Sequence, residues 1–268
     1  MPIVLKQNKP TPFIIILFAL FCFKSFSTVI ITGSNGVLGS ALVRQALLKG
    51  LPTVIGLRDR SKLHSVIEKL KETGKYAVLS PLEKITVRTL RAEQVGDQQI
   101  ANHLRGQRVQ SNVVLFNNAA VCLEGIDHPS LQESIQTNAI FPAYLAQQVV
   151  ENIGSEQNVT VVNVSSGDGE LVFLNSEIRA QIESVASVRD WYRYTHYLLS
   201  DKLNYNQELA VGPTPAYSIS KALLNAFTRV YNAETAPKIR VVSVCPGNFA
   251  SPMSTAGQLL DSACYKSR

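Results

Sequence analysis

The stretch TVIITGSNGVLG, Thr28 to Gly39, decides the fold. Its first half, Thr28 to Thr32, is a short β-branched run suited to a buried strand. Directly after Gly39 come Ala41, Leu42, Ala46, Leu47 and Leu48, an apolar stripe at helical spacing that Gly50 and Pro52 stop. The glycines Gly33, Gly36 and Gly39 therefore lie between a strand and a helix. There a dinucleotide pyrophosphate would meet the free N–H groups and positive dipole of a helix N-terminus, and glycine lets the backbone come close. Gly33, Ser34, Asn35, Gly36, Leu38 and Gly39 are the candidate cradle. Glycine-rich turns of this kind occur in many folds, so the weight falls on what surrounds this one.

Strand-like and helix-like segments alternate on either side. Thr53 to Leu57 reads as a second strand, and Leu63, Val66, Ile67 and Leu70 mark a second helix ending at Gly74. Further strands are expected at Ile85 to Leu90, Val113 to Phe116, Val159 to Val164 and Val241 to Val244. Between them lie long helical patterns, notably Leu131 to Ile153 and Ile219 to Ala233. Nearly continuous apolar strands alternating with helices indicate a buried parallel sheet with right-handed crossovers. The expectation is an α/β fold, a Rossmann-type doubly wound parallel sheet in a single domain. There is no internal repeat and no low-complexity linker.

A chain of 268 residues with 46% apolar and 17% charged content can bury a substantial core. A net charge of +6 is modest, and no basic block or aromatic–basic interleaving points to nucleic acid. Cys22, Cys122, Cys245 and Cys264 lack CxxC spacing, and His64, His103, His128 and His196 lack metal spacing, so no metal site is expected. No GxSxG elbow places a serine for hydrolysis. The sequons at Asn158 and Asn163 fall on an expected central strand and read as chance. At the N-terminus, residues 13–23 (FIIILFALFCF) follow Lys6 and Lys9. This run is well short of the about 20 residues that span a bilayer as a helix, but suits a signal peptide or short anchor. Residues 1–27 are read as a hydrophobic leader that would place the protein at a membrane or in the endoplasmic reticulum; without that role it would be cytoplasmic. Residues 28–268 are read as the nucleotide-binding domain.

Two further motifs carry chemistry. Tyr217-Ser-Ile-Ser-Lys221 puts a phenol and an ammonium four residues apart, on one face of a helix. A tyrosine with a pKa near 10 exchanges protons sluggishly at neutral pH, and a nearby ammonium would lower that value. Upstream, Ser165-Ser166 closes an expected central strand, where loops form the ligand crevice of open α/β sheets and a hydroxyl can donate to a developing oxyanion. Asn117-Asn118-Ala119-Ala120 follows another strand as a compact polar turn, and Asn138 could hold a water or a backbone group. Beyond the second strand, Arg58 could pair with a ribose 2′-phosphate, favouring NADP over NAD; it could equally be a solvated loop charge.

Taken in order along the chain, these residues resemble the short-chain dehydrogenase/reductase family from Thr28 to about Met253, with the carbonyl-reductase-like branch the nearest look. The resemblance implies that Ser166, Tyr217 and Lys221 are catalytic, with Asn138 as a fourth, water-holding member. It implies that Lys221 also binds the nicotinamide ribose, and that Asn117, Asn118 and Ala119 lie beside the adenine ribose. It places Pro246 and Gly247 at the cofactor after the sixth strand, and Ser251 at the nicotinamide amide. The implied activity is NADP-dependent reduction of a ketone, aldehyde or quinone to an alcohol, with NADPH as hydride donor and a small-molecule carbonyl as substrate.

The chain departs from that family in several places. Val37 stands where the middle glycine of the usual turn would be, a spacing similar to nucleotide-sugar epimerases and dehydratases, which form one alternative reading. Leu90-Arg91-Ala92 stands where an acid often touches the adenine. An insertion at about residues 167–216 separates Ser166 from Tyr217, and Glu177 to Leu203 within it reads as one helix. Similar inserts in carbonyl-reductase-like members imply a covered dimerisation face and a monomer. After Ser251 the family's usual last strand is not found in the chain, which suggests as a second alternative a non-catalytic or incomplete nucleotide-binding protein.

Overall fold

The computed structural model describes residues 26–71, 85–89, 112–153, 158–200, 209–237 and 239–247. The leader's residues 13–23, Leu90-Arg91-Ala92 and Ser251 lie outside the described residues. Strand β1 (Phe26–Thr32) leads through the glycine turn into helix α1 (Val37–Leu48), then β2 (Thr53–Leu57), α2 (Leu63–Lys71) and β3 (Ile85–Thr89). The second half runs β4 (Asn112–Asn117), α3 (His128–Ile135), α4 (Phe141–Asn152), β5 (Val159–Val164), α5 (Ser176–Ser184), α6 (Val188–Leu198), α7 (Pro215–Thr235) and β6 (Ile239–Val244).

The six strands lie in the order β3-β2-β1-β4-β5-β6, every neighbour parallel. Val29 sits opposite Thr53 on one side and Val114 on the other. The strand order reverses between β1 and β4, so the carboxyl ends of these two strands open the crevice in which α/β sheets bind ligands. Alternate residues feed two apolar layers. Ile30, Val113, Leu115, Val159 and Val161 pack with α3, α4 and α7, while Val29, Ile31, Val114 and Phe116 pack with α1 and α2. The expected doubly wound α/β sheet is the observed one.

Helix ends differ from the sequence reading where capping decides them. The expected helix from Leu131 to Ile153 begins earlier, at His128, because the Asp127 carboxylate accepts the Ser130 N–H at 2.8 Å. It is also interrupted by a π-helical turn, Gln136–Ile140. The single helix expected over Glu177 to Leu203 is two helices. Ser187 starts the second by capping α6: its Oγ accepts from Asp190 N at 3.0 Å and donates to the Asp190 carboxylate at 2.7 Å. Arg229 donates to the Val185 and Ile182 carbonyls at the end of α5, satisfying groups the break exposes. Among the described residues no helix is long and apolar enough to cross a membrane.

Candidate active site

The glycine turn owes its shape to close backbone approach. Gly33 has φ +63°, and a Cβ there would stand 2.8 Å from the Ala119 Cα. A Cβ on Gly39 would run into the Gly33 carbonyl oxygen and lie 2.9 Å from the Asn118 amide nitrogen. Gly36 differs: it is the extended N-cap of α1, with φ −71° and ψ 171°, a conformation open to any residue. Val37, standing where the family's middle glycine would be, is exposed, so its bulk is accommodated without closing the turn. No side chain caps α1 and no acidic residue sits in its first turn. The two close glycine contacts and the uncapped helix start fit a pyrophosphate.

Facing that turn, Thr32 Oγ1 accepts from the backbone N–H of Asn118 at 2.9 Å and of Ala119 at 3.0 Å. The Asn118 amide donates to the Thr32 and Gly33 carbonyls at 3.0 and 3.2 Å. Asn118 and Ala119 thus line the switch point. The Asn117 side chain does not; it is buried beneath the sheet, donating to Asn163 Oδ1 at 2.8 Å and Pro142 O at 3.1 Å. The Ser34 hydroxyl likewise turns inward, donating to Ile31 O at 2.8 Å, so only its backbone remains for a phosphate. Arg58 is exposed just past the carboxyl end of β2, on the same edge of the sheet.

At the carboxyl end of β5, Ser166 leads into a tight turn, Gly167–Gly169, and its Oγ accepts from Asp168 N at 3.2 Å. The same side chain faces Tyr217 and acts to lower its pKa. Gly169 lies so close to α7 that a Cβ would stand 2.8 Å from the Lys221 carbonyl carbon. Pro215 opens α7 at a position where its missing N–H costs nothing, which sets Tyr217 in the first turn and Lys221 one turn on. Lys221 Nζ donates to Val164 O at 2.7 Å and lies 5.6 Å from the centroid of the Tyr217 ring. Of the serine pair, only Ser166 faces Tyr217; the buried Ser165 hydroxyl has no partner among the described residues. Asn138, in the π-helical turn, accepts from Val121 N at 2.9 Å and donates to Val121 O at 2.8 Å and Ser220 Oγ at 2.9 Å.

Burial acts on the tyrosine–lysine pair beside the expected ammonium effect. Burial, the dominant cause, holds the Tyr217 pKa above the ordinary phenol value. Ser166 opposes this, while Cys122, Asp168 and Cys245 add to it. Lys221 holds its ammonium over the ring while also donating to the Val164 carbonyl. Burial also lowers Lys221 itself to about 8, with the two cysteines working the other way. Both cysteines flank the site as free thiols, which the sequence reading treated as ordinary. Burial raises the Cys122 pKa, with Asp168 adding to the rise.

The family model described as short chain dehydrogenase matches residues 27–176 and 207–258. The chain belongs to this family. Short chain dehydrogenases are oxidoreductases that bind a nicotinamide cofactor, and the glycine turn described above fits one. The break in the match spans α6 and nearly all of α5. Salutaridine reductase of Papaver somniferum is 26% identical over 266 residues, covering 84% of this chain and 83% of that protein. Its solved structure superposes with a TM-score of 0.71 at 22% identity, over 85% of this chain and 88% of that one. (+)-Neomenthol dehydrogenase of Arabidopsis thaliana is 25% identical over 254 residues, covering 84% of this chain and 83% of that protein. The structure of an actinorhodin polyketide ketoreductase variant with NADPH shares the fold, with a TM-score of 0.61 at 19% identity over 91% of this chain and 78% of that one.

Several residues that hold the site together were not singled out from the sequence. Thr32 closes the glycine turn, the Val164 carbonyl anchors Lys221, and Ser220 meets Asn138. Only Thr32 carried a signal, as the hydroxyl ending β1. The other two act through bonds to residues far away in the chain. Pro246 and Gly247 follow β6 as expected, with Gly247 at φ +72°.

Proposed function

We propose that this short chain dehydrogenase reduces a ketone, aldehyde or quinone to an alcohol with NADPH. The observation that carries the reading is the Ser166–Tyr217–Lys221 cluster at the carboxyl end of β5, beside the β1–β4 switch point. When bound, NADPH supplies a hydride to the carbonyl carbon. Ser166 would donate a hydrogen bond to the carbonyl oxygen, and Tyr217 would give that oxygen its hydroxyl proton as it becomes an alkoxide. Lys221 would offset the resulting phenolate, which solvent reprotonates. The phenol is protonated at neutral pH, the form that donates in the reductive direction. Asn138 would brace the loop at Val121 through its backbone groups. Gly33, Gly39, Asn118 and Ala119 would shape the dinucleotide cradle, with the backbone of Ser34, Asn35, Gly36 and Leu38 around it. Arg58 would meet the 2′-phosphate, with Pro246, Gly247 and Ser251 on the nicotinamide side.

The insertion supports a monomer. Trp191 of α6 is fully buried on α7, its indole N–H donating to Leu223 O at 2.8 Å, so α7 is covered from within the chain. Residues 28–268 would form the one nucleotide-binding domain, and the leader, residues 1–27, would direct or tether it to a membrane. Fractionating cells that express the full chain and a version starting at Thr28 tests the leader; equal recovery of both in the soluble fraction would remove that role. The activity is tested by following NADPH oxidation with para-nitrobenzaldehyde and menadione and identifying the product. Cofactor binding without any alcohol or hydroquinone formed from either would leave the reductase reading without support.

A further inference from the structure

We propose that Ser220 is a positioning residue for Tyr217, joining the carbonyl of the proton donor to Asn138 and through it to the loop at Val121. This rests on Tyr217 being the proton donor. The Ser220 hydroxyl is fully buried, so water does not compete for it. It donates to the Tyr217 carbonyl at 2.7 Å and accepts from the Asn138 amide at 2.9 Å. Asn138 then grips both backbone groups of Val121, at 2.9 and 2.8 Å. One oxygen therefore connects the start of α7, the π-helical turn and the loop after β4.

The next residue, Lys221, pins the same turn of helix to the opposite side, to the end of β5 through Val164 O. Two pins on two sides stop the turn from rotating about either one. The Tyr217 hydroxyl must meet Ser166 and a substrate oxygen together, and small misplacements of such groups are costly. A serine inside a helix that bonds only its own preceding turn is neutral to mildly unfavourable. Ser218 is that case in the same helix: its hydroxyl reaches the Thr214 carbonyl at 3.3 Å and touches no other element by hydrogen bond among the described residues. The contrast between Ser218 and Ser220 separates a local back-bond from a link between elements.

The test compares Ser220→Ala, Ser220→Cys and Ser218→Ala in the full chain with NADPH and para-nitrobenzaldehyde. Ser220→Ala is expected to lose roughly tenfold or more in kcat while KM and NADPH affinity stay within about twofold, the signature of lost orientation. Ser220→Cys, with a weak donor and acceptor in place, should fall between, and Ser218→Ala should match the parent. Amide exchange gives a readout without turnover: the Val121 N–H should exchange faster in Ser220→Ala but not in Ser218→Ala. Equal kcat, or equal Val121 protection, in folded Ser220→Ala and Ser218→Ala would overturn the link; if Ser220→Ala does not fold, Ser220→Cys carries the same comparison. Tyr217→Phe run alongside distinguishes the failures. Retained turnover there removes the donor reading itself, whereas lost turnover with an unaffected Ser220→Ala removes only the link.

Discussion

The two halves of the crevice are built by different means. On the cofactor side, the turn from Gly33 to Gly39 is shaped by backbone in contact with backbone, and its two indispensable glycines face the Gly33 carbonyl and Ala119. On the substrate side, side chains reach across the fold: Lys221 to Val164 across 57 positions, Asn138 to Ser220 across 82. The first half tolerates no added volume at Gly33 or Gly39 but asks for few particular functional groups. The second, Gly169 apart, is set more by single polar atoms than by volume. Damage to the first should appear as lost affinity and stability, and damage to the second as lost turnover.

The sharpest break of that contrast is Tyr217→Phe. Removing a general acid costs on the order of 10²- to 10⁴-fold, so reductive kcat should collapse while NADPH affinity, measured by fluorescence titration, changes little. A variant that still reduces para-nitrobenzaldehyde at the parent rate would erase the distinction between the halves. Gly39→Ala should do the opposite. Its methyl group would enter the Gly33 carbonyl, and overpacking of this kind costs about 1–3 kcal/mol, so the melting temperature and NADPH affinity should both fall. Gly36→Ala, in open extended backbone, should leave both nearly unchanged; equal damage from the two would show that spacing, not contact, matters.

Arg58→Ala probes the outer rim of the cofactor side. A charge-assisted hydrogen bond is worth about 1.5–3 kcal/mol, so preference for NADPH over NADH should drop roughly tenfold or more at fixed salt. Unchanged preference would leave Arg58 as a solvated charge. The smallest effect expected is in the pH profile. With its folded value lowered to about 8, Lys221 loses its proton within the working range. Reductive turnover should decline as pH rises through that value. Stability should move the other way. Between about 8 and the ordinary lysine value the unfolded chain binds the extra proton, so the folded state gains as pH rises and is penalised below that window. A turnover profile flat across it would mean that the ammonium has no part in the step.

Legibility followed the same division. The strand–turn–helix at Thr28 to Leu48 could be read directly, because strand propensity, the glycine turn and the helical stripe are each written in adjacent residues. The YxxxK pair was legible because one helix face holds both groups. The pKa of the phenol was not. Spacing places the ammonium near Tyr217, but the depth of burial, which raises the phenol's pKa, is set by the fold. Asn117 and Asn118 read alike as neighbours in a polar turn, yet the pleat sends one under the sheet to Asn163 and leaves the other at the switch point. The break between α5 and α6 had a signature, Ser187 followed by Asp190, masked by apolar residues that keep helical spacing through it.

By itself the sequence determined the alternation of strands and helices, the place of the glycine turn, the family resemblance and the set of residues able to move a proton. Periodicity, capping and steric need at glycine are properties of short segments, so they survive translation from string to structure. Only the tertiary structure decided where Asn138 and Lys221 spend their hydrogen bonds, and that burial raises the Tyr217 pKa. Those outcomes depend on which distant groups compete for one polar atom once water has been excluded, and that competition exists only after the sheet and α7 have come together.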